Sequence, residues 1–281
     1  MATIRFHRTN HNSELSMNVW YNETGRPLSS TSWLNAHHRA KLKERTAFAR
    51  SLLDMRPRRI VDLGCGPGLW LETLNGIVPP DCEFVGIDSD SAALDEAKSR
   101  AKEWERSVQF LNVDIEKSSQ NLPEADMFLA FNLFPYFTHP EKVLTAVKSR
   151  IAGSGRLVIR QYDGALLRFG PLDQGRRGRI EMSLHTSVMG SSEFQHYDLD
   201  RLFQLLASSS FENKHLEFEL FQRASPYPED FLQYVNNTID WMARYAAEDA
   251  SAELKRWQSE FLCRGSPPSY FVEVDLVGWL S

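Results

Sequence analysis

"VDLGCGPGLW", residues 61–70, decides how the rest of the chain is read. Gly64, Gly66 and Gly68 alternate within five positions, directly after the apolar run "RRIVDL" (58–63) and directly before an apolar stretch of helical spacing. Glycines between a strand and a helix let the backbone turn sharply and come close to a ligand, which then meets the amides at the helix start. A dinucleotide-binding fingerprint requires glycine at the sixth position counted from Gly64, and that position is Leu69. The turn therefore predicts a ligand at this strand end, and a nicotinamide dinucleotide fits it poorly.

Outward from the turn, short apolar runs alternate with helical stretches. "CEFVGID" (82–88), "VQFLNVD" (108–114), "DMFLAFN" (126–132) and "GRLVIRQYD" (155–163) have the continuous apolar character of strands buried on both faces. Between them, "DSAALDEAKSRAKEWE" is capped by Asp90 or Ser91, and "HPEKVLTAVKSRIAGSG" opens with Pro140 in its first turn and stops at Gly153 to Gly155. This alternation predicts an α/β doubly wound sheet, with right-handed connections and a ligand at the carboxyl ends of its strands. Beyond residue 163 the pattern changes. Residues 166–197 read as an irregular loop with at most one extended piece, and "YDLDRLFQLLASSSF" as a helix capped by Asp198 or Asp200. "KHLEFELFQ" (214–222) and "SYFVEVDLVGWL" (269–280) read as strands, for a sheet of about seven strands with the last antiparallel. The expected division is a helical amino-terminal cap (1–55), a core (56–222), a helical insert covering the substrate (223–268) and a last core strand (269–281). Phe231, Tyr234, Thr238, Trp241 and Tyr245 draw an aromatic stripe along the insert, equally suited to a substrate wall and to helix packing.

Composition narrows the partners. With 281 residues, 42% hydrophobic, the chain can bury a full core. A formal charge of -5 without long like-charge blocks argues against capture of nucleic acid or an anionic membrane, and points to a small molecule. No secretory leader and no long apolar run is read, so a cytoplasmic location is expected. Cys65, Cys82 and Cys263 are too scattered for a disulfide framework or a zinc site, and no metal is expected.

The motif "VDLGCGPG" resembles the first motif of the class I S-adenosylmethionine-dependent methyltransferases, whose fold is Rossmann-like. The resemblance extends over about residues 58–163 and the last two strands. It implies S-adenosylmethionine as cofactor and a small-molecule acceptor. It also implies that Asp62, Gly64, Cys65, Gly66 and Gly68 hold the methionine portion, Asp88 and Ser89 the ribose, and Asp114 and Ile115 the adenine. The physical sense is that turn amides receive a carboxylate and carboxylates receive an ammonium and hydroxyls. An Asp in such turns is equally a helix cap, and Asp90 is read as one.

The fourth run ends in "FNLFPYF" (131–137), which lacks an obvious base. A sulfonium is an activated donor, so in-line positioning and exclusion of water can suffice. Asn132 can orient the acceptor or the cofactor's ammonium, Phe134 or Tyr136 can face the sulfonium, and Tyr162 and Asp163 stand at the end of the fifth run. Asn132, Tyr136 and Tyr162 are the catalytic candidates. His139, His185 and His196 are possible bases or surface residues, Arg176, Arg177 and Arg179 an anion clamp or a solvated loop, and His37 and His38 lack metal-site spacing. Two rivals to methyl transfer remain: cyclisation of S-adenosylmethionine to azetidine-2-carboxylate and methylthioadenosine, and a non-catalytic cofactor-binding module.

Overall fold

The computed structural model describes residues 20–163, 167–190 (backbone only from 188) and 199–281. Five parallel strands form the centre: β1 (Arg59–Leu63), β2 (Glu83–Asp88), β3 (Val108–Asn112), β4 (Ala125–Phe131) and β5 (Ile151–Tyr162). They are joined in turn by α3 (Leu69–Asn75), α4 (Ser91–Arg100), α5 (Ile115–Ser118) and α6 (Pro140–Lys148), after the amino-terminal helices α1 (Thr31–Ala40) and α2 (Leu42–Ser51). The later elements are β6 (Arg168–Gly170), α7 (Gln174–Gly190), α8 (Leu199–Ser208), β7 (Lys214–Ala224), α9 (Glu229–Tyr245), α10 (Glu248–Phe261) and β8 (Tyr270–Leu280).

The sheet has eight strands, in the order β3-β2-β1-β4-β5-β8, with β6 and β7 also pairing with β8. β8 is antiparallel to all three of its neighbours. The antiparallel closing strand and the flanking helices match the expected Rossmann-like architecture, with β6 as an added short strand. Because β1 to β5 are parallel, Leu63, Asp88, Asn112, Phe131 and Tyr162 end along one edge of the sheet. The site is built on that edge.

Two apolar clusters cover the faces of the sheet. One joins Val61, Phe128 and Ile159 to α6 and α8, and the other joins Ile60, Met127 and Val158 to α2, α3 and α4. A third cluster lies off the carboxyl edge, where Trp33 of α1 packs with Tyr234 and Trp241 of α9 and Trp257 of α10. The aromatic stripe of α9 is core of this cap: Phe231, Tyr234 and Trp241 are buried, while Tyr245 is partly exposed.

Several boundaries differ from the sequence reading. α6 stops at Lys148 and β5 begins at Ile151, so Gly153 and Gly155 lie inside a long strand and not at a helix stop. Gly155 is needed there, since a Cβ would lie 2.4 Å from the carbonyl oxygen of Asp126 on β4. The stretch expected to be a loop contains β6 and the helix α7. Gly175 and Gly178 weaken that helix's intrinsic signal, but Arg176 binds Glu253 at 2.6 Å and Arg179 binds it at 3.0 Å, fastening α7 to α10. The basic group is thus structural: Arg177 donates to the Phe169 carbonyl at 2.9 Å. Asp198 and His196 lie outside the described residues. No described helix is long and apolar enough to cross a membrane.

Candidate active site

The glycine turn is held open from below. Gly64, Gly66 and Gly68 all have positive φ, at 69°, 52° and 78°, a backbone region that glycine occupies without penalty. Gly64 and Cys65 donate to the carbonyl of Ile87, tying the turn to β2. Asp88 completes the frame, with Oδ2 accepting from Gly66 N at 2.8 Å and Oδ1 from Asp90 N at 2.9 Å. Asp90 in turn caps α4, accepting from Ala92 N and Ala93 N. A Cβ at Gly64 would sit 2.6 Å from Leu133 Cδ1, so the mouth of the turn stays clear only for glycine.

Polar atoms behind this turn have no partner among the described residues. Asp62 Oδ2 and Ser89 Oγ are both buried and unpaired. Burial, reinforced by the Asp88 carboxylate, pushes the Asp62 carboxyl up to about 8. Such a group is unfavourable alone and is relieved by an incoming cation. Burial also raises Asp88, against the hydrogen bonds from Asp90 and Gly66, and raises the Cys65 thiol well above its ordinary value. Cys65 is therefore an inert wall residue.

A cavity runs from this turn to the ends of β4 and β5. Among the candidates, Gly64, Cys65, Gly66, Asp88, Asn132, Tyr136 and Tyr162 line it. Asp62, Gly68, Ser89, Asp114 and Ile115 do not. Asp114 caps α5, with Oδ1 accepting from Glu116 N at 3.1 Å and Lys117 N at 3.3 Å, and Oδ2 pairing with the exposed Lys117 ammonium at 2.9 Å. The Lys117 hydrogen bond holds its carboxyl below the ordinary value. Ile115 is buried in the core.

"FNLFPYF" resolves into distinct roles. Asn132 takes a left-handed φ of 53°, which brings its Oδ1 to the Tyr162 N–H at 3.3 Å while its own N–H donates to the Arg160 carbonyl. The amide oxygen being engaged, the NH2 is the end left for a ligand. Phe131 packs on Trp70 with its ring tilted, the centroids 4.5 Å apart, and both line the cavity. Phe134 packs on Phe137 in the core and does not reach the cavity. The Tyr136 hydroxyl donates to the carbonyl of Pro27, in the strap of residues 20–30 that closes over the cavity, and Arg26 lies over its ring. Asp163 N continues the strand by donating to Val274 O. His139 and His185 are exposed and absent from the cavity.

The cap supplies residues that sequence reading passed over. Trp33, His37, Lys41 and Arg45 recur every fourth position and share one side of α1 and α2, which faces the carboxyl edge. His37, only 2% exposed, stacks on Tyr234 at 5.1 Å and meets Tyr162 edge-on at 5.1 Å. Lys41 forms a buried ion pair with Glu273 of β8, which also accepts from the Tyr234 hydroxyl at 2.5 Å. Arg160 is held by Asp275 and Glu219, both at 2.6 Å. Arg45 is different: it is buried, lies over the Trp70 ring, contacts the Nδ1 atoms of His38 and His37, and has no carboxylate partner among the described residues. The spacing of four was a signal available in the sequence; the pairing of "HH" with an arginine one helix later was not.

These features meet known proteins at the same place. Residues 60–155 match the family model described as a methyltransferase domain. The chain is 37% identical over 65 residues to the malonyl-[acyl-carrier protein] O-methyltransferase of Legionella pneumophila, covering 23% of this chain and 22% of that protein. It is 29% identical over 135 residues to the trans-aconitate 2-methyltransferase of Methylobacterium nodulans, covering 47% and 50%. The chain thus spans half or less of the length of these curated relatives. A putative methyltransferase from Bacillus halodurans shares the fold, with a TM-score of 0.50 at 13% identity over 84% of this chain and 97% of that one. The central sheet and its glycine turn have a Rossmann-like fold, and residues 60–155 within it are similar to a methyltransferase domain. The Asp62 carboxyl beside the open turn has a buried oxygen without a partner among the described residues, which suits a cationic group of a ligand.

Proposed function

We propose that this chain is an enzyme that transfers a methyl group from S-adenosylmethionine to a small-molecule acceptor. The observation that supports this best is the continuous cavity, which joins the glycine turn to Asn132 and Tyr162 beneath the amino-terminal cap. A module that only sensed the cofactor would not need a second, polar end lined by buried residues.

In this reading the turn at Gly64, Cys65, Gly66 and Gly68, which carries no side chain at its glycines, lets the methionine portion come close to the backbone, and Asp62 receives the ammonium. Asp88 and Ser89 meet the ribose hydroxyls. Asp114, whose Oδ2 pairs with an exposed lysine among the described residues, meets the adenine together with the Ile115 amide. When bound, the cofactor supplies a methyl group activated by an adjacent sulfonium. The protein's part is then positional: Asn132 and Tyr162 orient the acceptor, Phe131 and Trp70 give it an apolar wall, and Tyr136 holds the strap that excludes water.

The test is incubation with S-adenosylmethionine alone and then with panels of small acids, phenols, amines and thiols, read by mass spectrometry. Intact cofactor in the first case and S-adenosylhomocysteine with a methylated product in the second are expected. Methylthioadenosine formed without an acceptor would replace this reading with cyclisation, and tight cofactor binding with no turnover on any panel would replace it with a sensor.

A further inference from the structure

The strongest unexplained feature is a hydrogen-bond donor with nothing to donate to. Arginine has only donors, so the contacts of Arg45 Nη1 with His38 Nδ1 at 2.8 Å and Nη2 with His37 Nδ1 at 3.4 Å require both Nδ1 atoms to accept. A neutral ring bound in this way carries its proton on Nε2. A second proton on His37 is disfavoured first by burial, then by the charges of Lys41 and Arg45, with His38 and Arg160 adding to them. Burial and Arg45 likewise draw His38 down to about 3. His37 is therefore a neutral Nε2–H donor, and that nitrogen is buried without a partner among the described residues. It stands where two cavities meet, together with Arg45, Trp70, Asn132 and Tyr162.

Among the described residues, most carboxylates near the two cavities are engaged. Asp88 and Asp90 hold backbone amides at the far end of the first cavity, Glu44 and Glu219 beside the second are occupied by Arg223 and Arg160, and Asp275 holds Arg160 through Oδ2 while its buried Oδ1 has no partner among the described residues. The Tyr162 phenol is pushed well above its ordinary value by burial. Against these stand the Nε2–H of His37, the amide NH2 of Asn132 and the guanidinium of Arg45. A site of donors with a local positive charge fits an acceptor that brings its own lone pairs and negative charge and has no proton to remove.

We infer that the acceptor is a small organic carboxylate, bound by His37 Nε2–H and esterified by the enzyme. This inference rests on the methyltransferase reading above. A carboxylate oxygen forms the new bond to the methyl carbon as the carbon–sulfur bond breaks and its electron pair stays on sulfur. The carboxylate's negative charge and the sulfonium's positive charge cancel, leaving a methyl ester and a neutral thioether. No proton moves, so the step needs no base. Leu28, Leu34, Trp70 and Phe131 line the same cavity and suit an apolar remainder of the acid. Arg45 acts through His37 as a positioning residue, fixing which nitrogen holds the proton.

The experiment uses the full chain, labelled with 15N-histidine and saturated with S-adenosylhomocysteine. Phenylacetate and hexanoate are titrated against their amides, phenylacetamide and hexanamide. The tautomer is read from two-bond nitrogen–proton correlations, and binding from the shift of the His37 Nε2–H resonance. We expect the Nε2–H form, at least about tenfold tighter binding of a carboxylate than of its amide, loss of that preference in His37→Phe, and its partial retention in His37→Gln, whose amide can donate from a similar place. S-adenosylhomocysteine affinity stays within about twofold in both variants, because His37 is assigned to the acceptor end. A cationic or Nδ1–H His37, or equal binding of acid and amide by protein that does bind S-adenosylhomocysteine, overturns the carboxylate inference alone. Failure of the native protein to bind S-adenosylhomocysteine overturns the methyltransferase reading beneath it.

Discussion

The Tyr136 hydroxyl lies 2.6 Å from the Pro27 carbonyl oxygen and donates to it, tying the end of β4 to the strap over the cavity. The aromatic residue nearest the expected chemistry is thus an anchor for the lid. Tyr136→Phe removes one hydrogen bond, worth about 1 kcal/mol, and leaves the ring beneath Arg26 in place. Amide exchange in residues 20–30 is expected to rise several-fold while turnover falls by less than about tenfold, since about 1.4 kcal/mol corresponds to a factor of ten. A loss of a hundredfold with unchanged exchange would instead place this hydroxyl on the acceptor.

Asp62 predicts a proton linkage. With its carboxyl raised to about 8 by burial and by Asp88, it is protonated in the free protein at neutral pH and becomes ionised when it meets the cofactor's ammonium. Binding therefore releases a proton. Between pH 6 and 8 the affinity for S-adenosylhomocysteine should rise, by at most about tenfold per pH unit, and level off above about 8. Calorimetry in buffers of different ionisation enthalpy measures the release directly, and Asp62→Asn should abolish it.

Asp88 serves the turn before it serves any ligand. Both of its oxygens are engaged by backbone amides, one at Gly66 and one at Asp90. Asp88→Ala leaves these N–H groups without that acceptor, so a stability loss of about 2 kcal/mol should accompany the loss of cofactor affinity. Asp88→Asn, which keeps one acceptor oxygen, should lie between. Denaturant melts and calorimetry on the same samples separate the two effects, and an Ala variant with unaltered stability would show that the turn does not depend on this carboxylate.

The ion pair of Lys41 with Glu273 is buried, with side-chain exposures of 5% and 0%, under the rings of Phe221, Tyr162 and Tyr234. Removing one member strands the other charge, so Lys41→Met and Glu273→Gln should each cost about 3–5 kcal/mol. The combined Lys41→Met, Glu273→Gln variant should recover much of that loss. A double-mutant cycle in urea tests it, and additive penalties would mean that the two groups are not coupled.

The parts of the molecule legible in the sequence are those that carry a local signal. The apolar runs of β1 to β5 and the spacing of Gly64, Gly66 and Gly68 announce a sheet and a ligand edge without any knowledge of long-range contacts. α7 was hidden because its glycines and arginines argue for a loop, and the acids that hold it, Glu253 and Glu260, lie on another helix. The cap side of the site was hidden for the same reason. His37 and His38 have no partner nearby in sequence, and what fixes which of their nitrogens accepts is Arg45 across the helix break at Lys41. Asp114 shows the reverse case: its local signal suits both a ligand contact and a cap, and only the structure shows the cap.

β8 carries Glu273 and Asp275, the counter-charges of Lys41 on the cap and Arg160 on β5, and it is also the strand on which β5, β6 and β7 pair. The helices that close the cavity are therefore made before the sheet, and their electrostatic seat only after α10. During synthesis, Lys41 must wait for β8 to emerge before it meets Glu273, a closure whose length slows folding. The nucleotide-side turn can form from β1 and β2 alone, long before the acceptor side exists. Assembly order thus separates the two ends of the cavity in time: the polypeptide gains a place for its cofactor first, and becomes a closed reaction vessel only when the strand after α10 is threaded into the sheet.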